Sequence, residues 1–255
     1  DLHSDALEKF IEPRPGARFA YPIAVAEFDK SIISCGVTTM FHCVCFMNSP
    51  RLRSLRSPET AMRSVEEINS HVPHLNARNF IHARYDKPSP EALPALRSLI
   101  SNDHVHLVSL MDHTPGQGQY RDPKQLAAYR GTEWSEEDEK KFFAEMEAKQ
   151  ARIRPEDIED LVALCHEHEI SIASHDDDSL ERVDWAVDHG FSISEFPVEL
   201  GVARAAHERG MAVGFGAPNV LRGGSHSGNV SAREALAQGV GDFLGRGDVH
   251  GGREG

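Results

Sequence analysis

Imidazole and carboxylate side chains recur at the ends of short apolar runs, where they could hold a metal ion together. The clearest pair is His3 and Asp5, because residues i and i+2 of a strand point the same way. An imidazole nitrogen and a carboxylate oxygen suit zinc or another divalent first-row ion. The same residue types end four later runs, at His82–Asp86, Met111–His113, Ser174–Asp178 and Ser194–Pro197.

We predict a metal centre from these run ends, because so many polar groups near a core need compensation. A hydrogen-bonded polar strand end is the competing interpretation of any single run. The predicted ligands are His3, Asp5, Asp86, His113, His175 and Glu195. The predicted cofactor is one or two divalent ions, zinc first and manganese or iron as alternatives. Three neighbouring carboxylates could orient an imidazole or act as a general acid or base: Asp112, Asp176 and Asp177.

A second stretch, Gly214–Asn229, has the composition of an anion site. Glycines leave backbone N–H groups open to an anion, and a helix predicted from about Ser231 would present its positive end. A flexible Gly/Ser loop is the alternative, and the spacing is not that of a P-loop. The predicted phosphate-binding residues are Asn219, Arg222, Gly223, Gly224, Ser225 and His226.

Both predicted sites need secondary-structure elements that bring the ends of distant apolar runs to the same edge of a sheet. Eight apolar runs alternate with helix-like patterns, which indicates parallel βαβ units and predicts a (β/α)8 barrel with its site at the carboxyl ends of the strands. We expect one domain over 1–250, with a helical excursion inserted at about 120–154 that is either a solvated helix or a lid. The runs are Asp1–Asp5, Val37–Cys45, Asn79–Asp86, Val105–His113, Ile170–His175, Phe191–Phe196, Met211–Ala217 and Gly241–Asp248.

Composition narrows the class of protein. The 255 residues are 40% hydrophobic and carry a net charge of −13, so a core is feasible and a basic nucleic-acid footprint is absent. No apolar run is long enough to span a membrane. The four cysteines form no CxxC pair, which favours reduced thiols and a cytoplasmic location. There is no GxSxG motif of a serine hydrolase.

Five runs together resemble a known family: Asp1–Lys9, Leu110–Gln117, Ala173–Asp177, Ser194–Pro197 and Gly216–Asn229. The family is phosphonate-metabolism protein M of the carbon–phosphorus lyase pathway, in the amidohydrolase superfamily of metal-dependent barrels. The resemblance implies hydrolysis of a phosphorylated ribose phosphonate, α-D-ribose 1-methylphosphonate 5-triphosphate, to the 5-phosphate and diphosphate.

The resemblance also suggests catalytic residues and shows departures. Superfamily members use an aspartate at the last strand as general base; Asp248 matches it with a one-residue shift, and Asp176 is the second acid/base candidate. Phe10 stands where the family has a histidine, and Asp86 where it has a glutamate. The superfamily's flanking β-sandwich is not represented, so we expect a fragment. The alternatives are an amidohydrolase acting on a C–N bond, or an inactive fragment that binds phosphate; homo-oligomer formation is left open.

Overall fold

The fold is built on one parallel β-sheet. The computed structural model describes residues 1–14, 16–47, 54–112, 135–224 and 229–245. Within these ranges seven strands pair in chain order, each parallel to the next. They are β1 (Thr39–Phe46), β2 (Arg78–Asp86), β3 (Leu107–Met111), β4 (Ser171–His175), β5 (Ile193–Glu195), β6 (Ala212–Gly216) and β7 (Phe243–Gly245).

Helices connect the strands, as parallel pairing requires. The α-helices are α1 (Leu7–Ile11), α2 (Tyr21–Ser34), α3 (Pro58–His71), α4 (Leu93–Ser101), α5 (Glu136–Gln150), α6 (Pro155–Glu167), α7 (Leu180–Asp188), α8 (Leu200–Glu208), α9 (Ala217–Arg222) and α10 (Ala232–Ala237). Short 3-10 turns cover Ser54–Arg56, Val72–His74 and Pro90–Ala92. The Ser57 side chain caps the start of α3, because it accepts a hydrogen bond from the Thr60 amide.

The prediction of an eight-stranded closed barrel was wrong. The first predicted strand, Asp1–Asp5, contributes one isolated bridge, between Ser4 and His42, and no ladder. The chain leaves the strand direction at once, since the Glu8 amide already donates to the Asp5 carbonyl at 3.0 Å. In the described residues the sheet therefore has seven strands. The last strand, β7, approaches the amino-terminal segment, because a Cβ on Gly245 would lie 3.3 Å from the Cβ of His3.

The two faces of the sheet differ in chemistry. Along β2, Ile81, Ala83 and Tyr85 belong to the apolar core. The alternate residues His82, Arg84 and Asp86 are buried on the opposite face. We call this opposite face the site face, and it carries polar side chains although it is shielded from water.

The predicted excursion at about 120–154 is described only in part. Residues 120–134 lie outside the described ranges, and α5 occupies most of the remainder. The single-domain boundary at 1–250 stays a prediction. None of the helices that the structure describes combines the length and apolar character needed to cross a lipid bilayer.

Candidate metal centre

Three predicted ligands lie together, two of them at the carboxyl ends of neighbouring strands. His175 ends β4 and Glu195 ends β5, and the parallel register places their Cα atoms opposite each other. His3 comes from the amino-terminal segment, with its Nδ1 at 3.1 Å from Glu195 Oε1. All three are buried, and one ligand atom from each lies within 4.8 Å of the others. Two ligands of one zinc ion can lie up to about 4.2 Å apart, so this group could hold an ion after a small contraction.

The backbone turns sharply after each of the two strand ligands. Asp176 follows His175 with φ at 55°, and Phe196 follows Glu195 with φ at 57°. Left-handed conformations cost free energy for non-glycine residues and are retained where surrounding structure enforces them. The Asp176 amide donates to the Glu195 carbonyl at 2.9 Å, and the Phe196 amide to the Gly214 carbonyl at 2.9 Å. These bonds tie the turns to the next strand and hold the ligands in place.

Asp176 orients the imidazole of His175. Its Oδ2 lies 3.2 Å from His175 Nδ1, the arrangement by which carboxylates fix metal-ligating histidines. Burial lowers the pKa of His175, but the Asp176 carboxylate outweighs burial and the net pKa is raised. With Nδ1 held by Asp176, Nε2 is the nitrogen that could bind an ion.

The carboxylate of Glu195 supports the fit of a cation. Its Oε1 lies against His3, but Oε2 is buried without a hydrogen-bond partner among the described residues. A buried unsatisfied acceptor costs about 1–3 kcal/mol, and more when it is charged. A divalent ion at Oε2 would remove that cost. The donor set of imidazole and carboxylate is one that zinc and related ions prefer.

Two side chains that we did not predict as ligands also lie here. His82, four residues before the end of β2, has its Nε2 3.9 Å from Glu195 Oε2. Cys43 Sγ lies 3.5 Å from His82 Nδ1, and His3, Cys43 and His82 form a second group of atoms within 4.8 Å. Burial lowers the pKa of His82 to about 4, so its ring is neutral. The alternation along β2 was the signal, because His82 shares a face with Asp86.

The other predicted ligands are placed differently. Asp5 Oδ2 accepts a hydrogen bond of 2.6 Å from Arg56, which also binds Glu8. Asp86 is buried at the end of β2, but neither ligand group found among the described residues includes it. His113 lies outside the described ranges. The ligand roles of these three residues stay predictions.

Asp177 links β4 and β5, the two strands that end in candidate ligands. Its Oδ2 accepts hydrogen bonds of 2.5 Å from the hydroxyls of Ser174 and Ser194. Burial raises the pKa of Asp177. Asp112, the remaining predicted carboxylate, lies 4.0 Å from Arg182. The structure thus gives Asp177 a structural contact, while its acid/base role stays a prediction.

In the glycine-rich stretch, backbone amides of the described residues form hydrogen bonds with nearby residues of the chain. The amides of Gly223 and Gly224 donate to the Asn219 carbonyl at 3.0 and 3.1 Å, which ends α9. The Asn219 side chain donates to the Val230 carbonyl and accepts from the Ala232 amide. Arg222 is exposed. These amides are engaged rather than open, and anion binding here stays a prediction. Besides His113, three more predicted residues lie outside the described ranges: Ser225, His226 and the candidate base Asp248.

No protein-family model matches the chain. Among curated proteins, it is 34% identical over 250 residues to alpha-D-ribose 1-methylphosphonate 5-triphosphate diphosphatase of Escherichia coli (strain K12). The chain is therefore similar to this diphosphatase over nearly its whole length. The match covers 96% of the chain and 65% of the diphosphatase, so the chain spans less than two thirds of that relative. The resemblance predicted from the motifs is confirmed.

Among solved structures, the chain is similar to the ligand-free form of tryptophan synthase from M. tuberculosis, in a TrpA point mutant. The TM-score is 0.45 and the identity 12%, over 88% of this chain and 76% of that one. At this level the similarity supports no argument about function.

Proposed function

We propose that the chain is a metal-dependent hydrolase that cleaves α-D-ribose 1-methylphosphonate 5-triphosphate to the 5-phosphate and diphosphate. The observation that carries the proposal is the buried group of His3, His175 and Glu195, whose ligand atoms lie within 4.8 Å of one another. The name of the relative supplies the substrate class, a phosphorylated ribose phosphonate. Phosphoanhydride cleavage is chemistry that a divalent ion promotes.

The residues of the chain have separable tasks in this proposal. A bound divalent ion would supply Lewis acidity toward the phosphoryl oxygens and lower the pKa of water. His3, His175 and Glu195 would hold it, and Asp176 would keep the proton of His175 on Nδ1. Phe196 packs its ring against the rings of His3 and His175, at centroid distances of 4.8 and 5.3 Å, and so excludes water from that side.

The reaction also needs two residues outside this group: a cation that neutralises the phosphate charge of the substrate, and a base that takes a proton from water. Arg222 is exposed on the glycine-rich stretch and would neutralise a phosphate of the substrate. Asp248 is our candidate to take the proton from the attacking water, as the family resemblance implies. Both roles are open to substitution and assay.

The test is release of diphosphate by the purified chain loaded with zinc or manganese. We expect equal amounts of diphosphate and of α-D-ribose 1-methylphosphonate 5-phosphate from the triphosphate. His175→Ala should lower kcat/KM by at least about 100-fold, since loss of an outer partner alone costs 10–100-fold. His74→Ala is the matched control, because His74 is exposed at the end of a 3-10 turn before β2. Absence of diphosphate release, or equal rates for the two variants, would contradict the proposal.

A further inference from the structure

We propose that His82 is a further ligand of the metal centre, binding an ion through Nε2 together with Glu195 Oε2. The inference rests on the metal centre of the proposed function and adds a residue that the ligand prediction left out. It is argued from the hydrogen bonds of the His82 ring and from the atom that its free nitrogen faces.

The hydrogen bond at Nδ1 determines the protonation of the ring. His82 Nδ1 lies 2.8 Å from the Leu2 carbonyl oxygen, which can only accept. Nδ1 therefore carries the proton, and in a neutral ring Nε2 presents a lone pair. Metal-ligating histidines commonly donate their other ring N–H to a backbone carbonyl in this way.

The lone pair of Nε2 faces a second acceptor. Nε2 lies 3.9 Å from Glu195 Oε2, and neither atom has a hydrogen-bond partner among the described residues. The side chains of His82 and Glu195 are 0% and 1% exposed, so bulk water does not solvate them. Two buried acceptors aimed at each other are unfavourable unless a cation lies between them.

The distance suits one ion. With metal–ligand distances of about 2.1 Å, atoms up to about 4.2 Å apart can bind the same ion. The 3.9 Å separation therefore needs no movement of either side chain. The alternative placement, with His82 Nδ1 and Cys43 as ligands, would require breaking the hydrogen bond to Leu2. The hydrogen bond thus directs His82 toward Glu195.

The first measurement uses the unaltered chain loaded with cadmium-113 alone. Three-bond coupling between the ion and the imidazole ring protons identifies each ligating histidine by nuclear magnetic resonance. We expect coupling to three histidine rings, from His3, His82 and His175. Coupling to rings that do not include His82 would overturn the inference, whether or not the variants below fold.

The second measurement compares zinc affinity in two variants by competition with a chromophoric chelator. His82→Asn should lower the affinity by at least about 100-fold. The matched control is His42→Asn, because His42 is equally buried but hydrogen-bonds Asn79. We expect near-unchanged affinity for the control; equal affinities of the two variants would overturn the inference. Because turnover is not measured, a chain that binds zinc through His82 without releasing diphosphate would refute only the proposed function.

Discussion

Replacing Glu195 by glutamine tests two effects of this buried carboxylate. One is the cost of its unpartnered oxygen in the metal-free chain, and the other is its role as a ligand when zinc is bound. Without metal, Oε2 of Glu195 is a buried acceptor with no hydrogen-bond partner among the described residues. In the Glu195→Gln variant an uncharged amide takes its place and can turn an N–H toward the lone pair of His82. We therefore expect Glu195→Gln to raise the free energy of unfolding of the metal-free chain by about 1–3 kcal/mol.

Zinc should reverse the order of stability. At a zinc concentration of about 1,000 times Kd, binding adds about 4 kcal/mol to the stability of the original chain. The variant lacks the carboxylate and should gain little. For a chain of this size, 1 kcal/mol corresponds to a shift in Tm of about 2–4 °C. The variant should thus melt higher in chelator, and the original chain should melt higher in zinc.

The assay is thermal unfolding of both proteins in chelator and in zinc. Glu167→Gln is the control, because Glu167 is exposed at the end of α6 and should show neither effect. A variant that is less stable than the original in chelator would refute the burial argument. Equal stabilisation of both proteins by zinc would refute the role of Glu195 as a ligand.

Two further predictions concern the supports of the sheet. Asp29 is buried and accepts hydrogen bonds from the backbone amides of Asn76 and Ala77. Burial raises the pKa of Asp29, but these hydrogen bonds outweigh burial, and the net pKa is lowered. Asp29→Ala should cost about 2–4 kcal/mol at pH 7 by urea unfolding. A carboxyl whose pKa is lowered by folding stabilises the folded state at pH values above its unfolded pKa, which is 3.8 for Asp29. The loss of stability in the variant should therefore shrink as the pH falls below 3.8. A loss that stays constant with pH would contradict the assignment. Gly214→Ala should cost about 1–3 kcal/mol, since a Cβ would lie 2.2 Å from the ring of Phe243, and unchanged stability would contradict this contact.

Much of the fold was accessible from the sequence, because short apolar runs separate clear helical patterns. The run Ile170–His175 predicted β4, which spans Ser171–His175. The first run failed as a strand. We counted Asp1–Asp5 among the apolar runs, but it is short and mostly polar, and such a pattern cannot distinguish a single bridge from a ladder. Strand number in a sheet depends on such edge pairings, which are contacts between distant segments.

The candidate site was predictable in part for the same reason. His175 and Glu195 end neighbouring strands, so parallel pairing alone brings them together. His82 was not predicted as a ligand because it lies four residues before the end of its strand. The alternation placed it on the face of Asp86, but only the side-chain positions show that its Nε2 lies 3.9 Å from Glu195 Oε2. The glycine-rich stretch suggested open amides, but Gly223 ends α9 in a left-handed conformation. Pro218 at the start and glycine after the end of that helix were the sequence signs of this arrangement.

The contact of Asp177 has a consequence for which ions the centre could accept. Ser174 and Ser194 each come directly before a candidate ligand and so project from the other side of the sheet. One carboxylate oxygen bridges both hydroxyls at 2.5 Å and limits how far β4 and β5 can separate there. Ser174, Ser194 and Asp177 thereby constrain the distance between His175 and Glu195, although none of the three would contact the ion. Substitutions at these three residues could change which ionic radius the centre selects while the coordinating atoms stay the same.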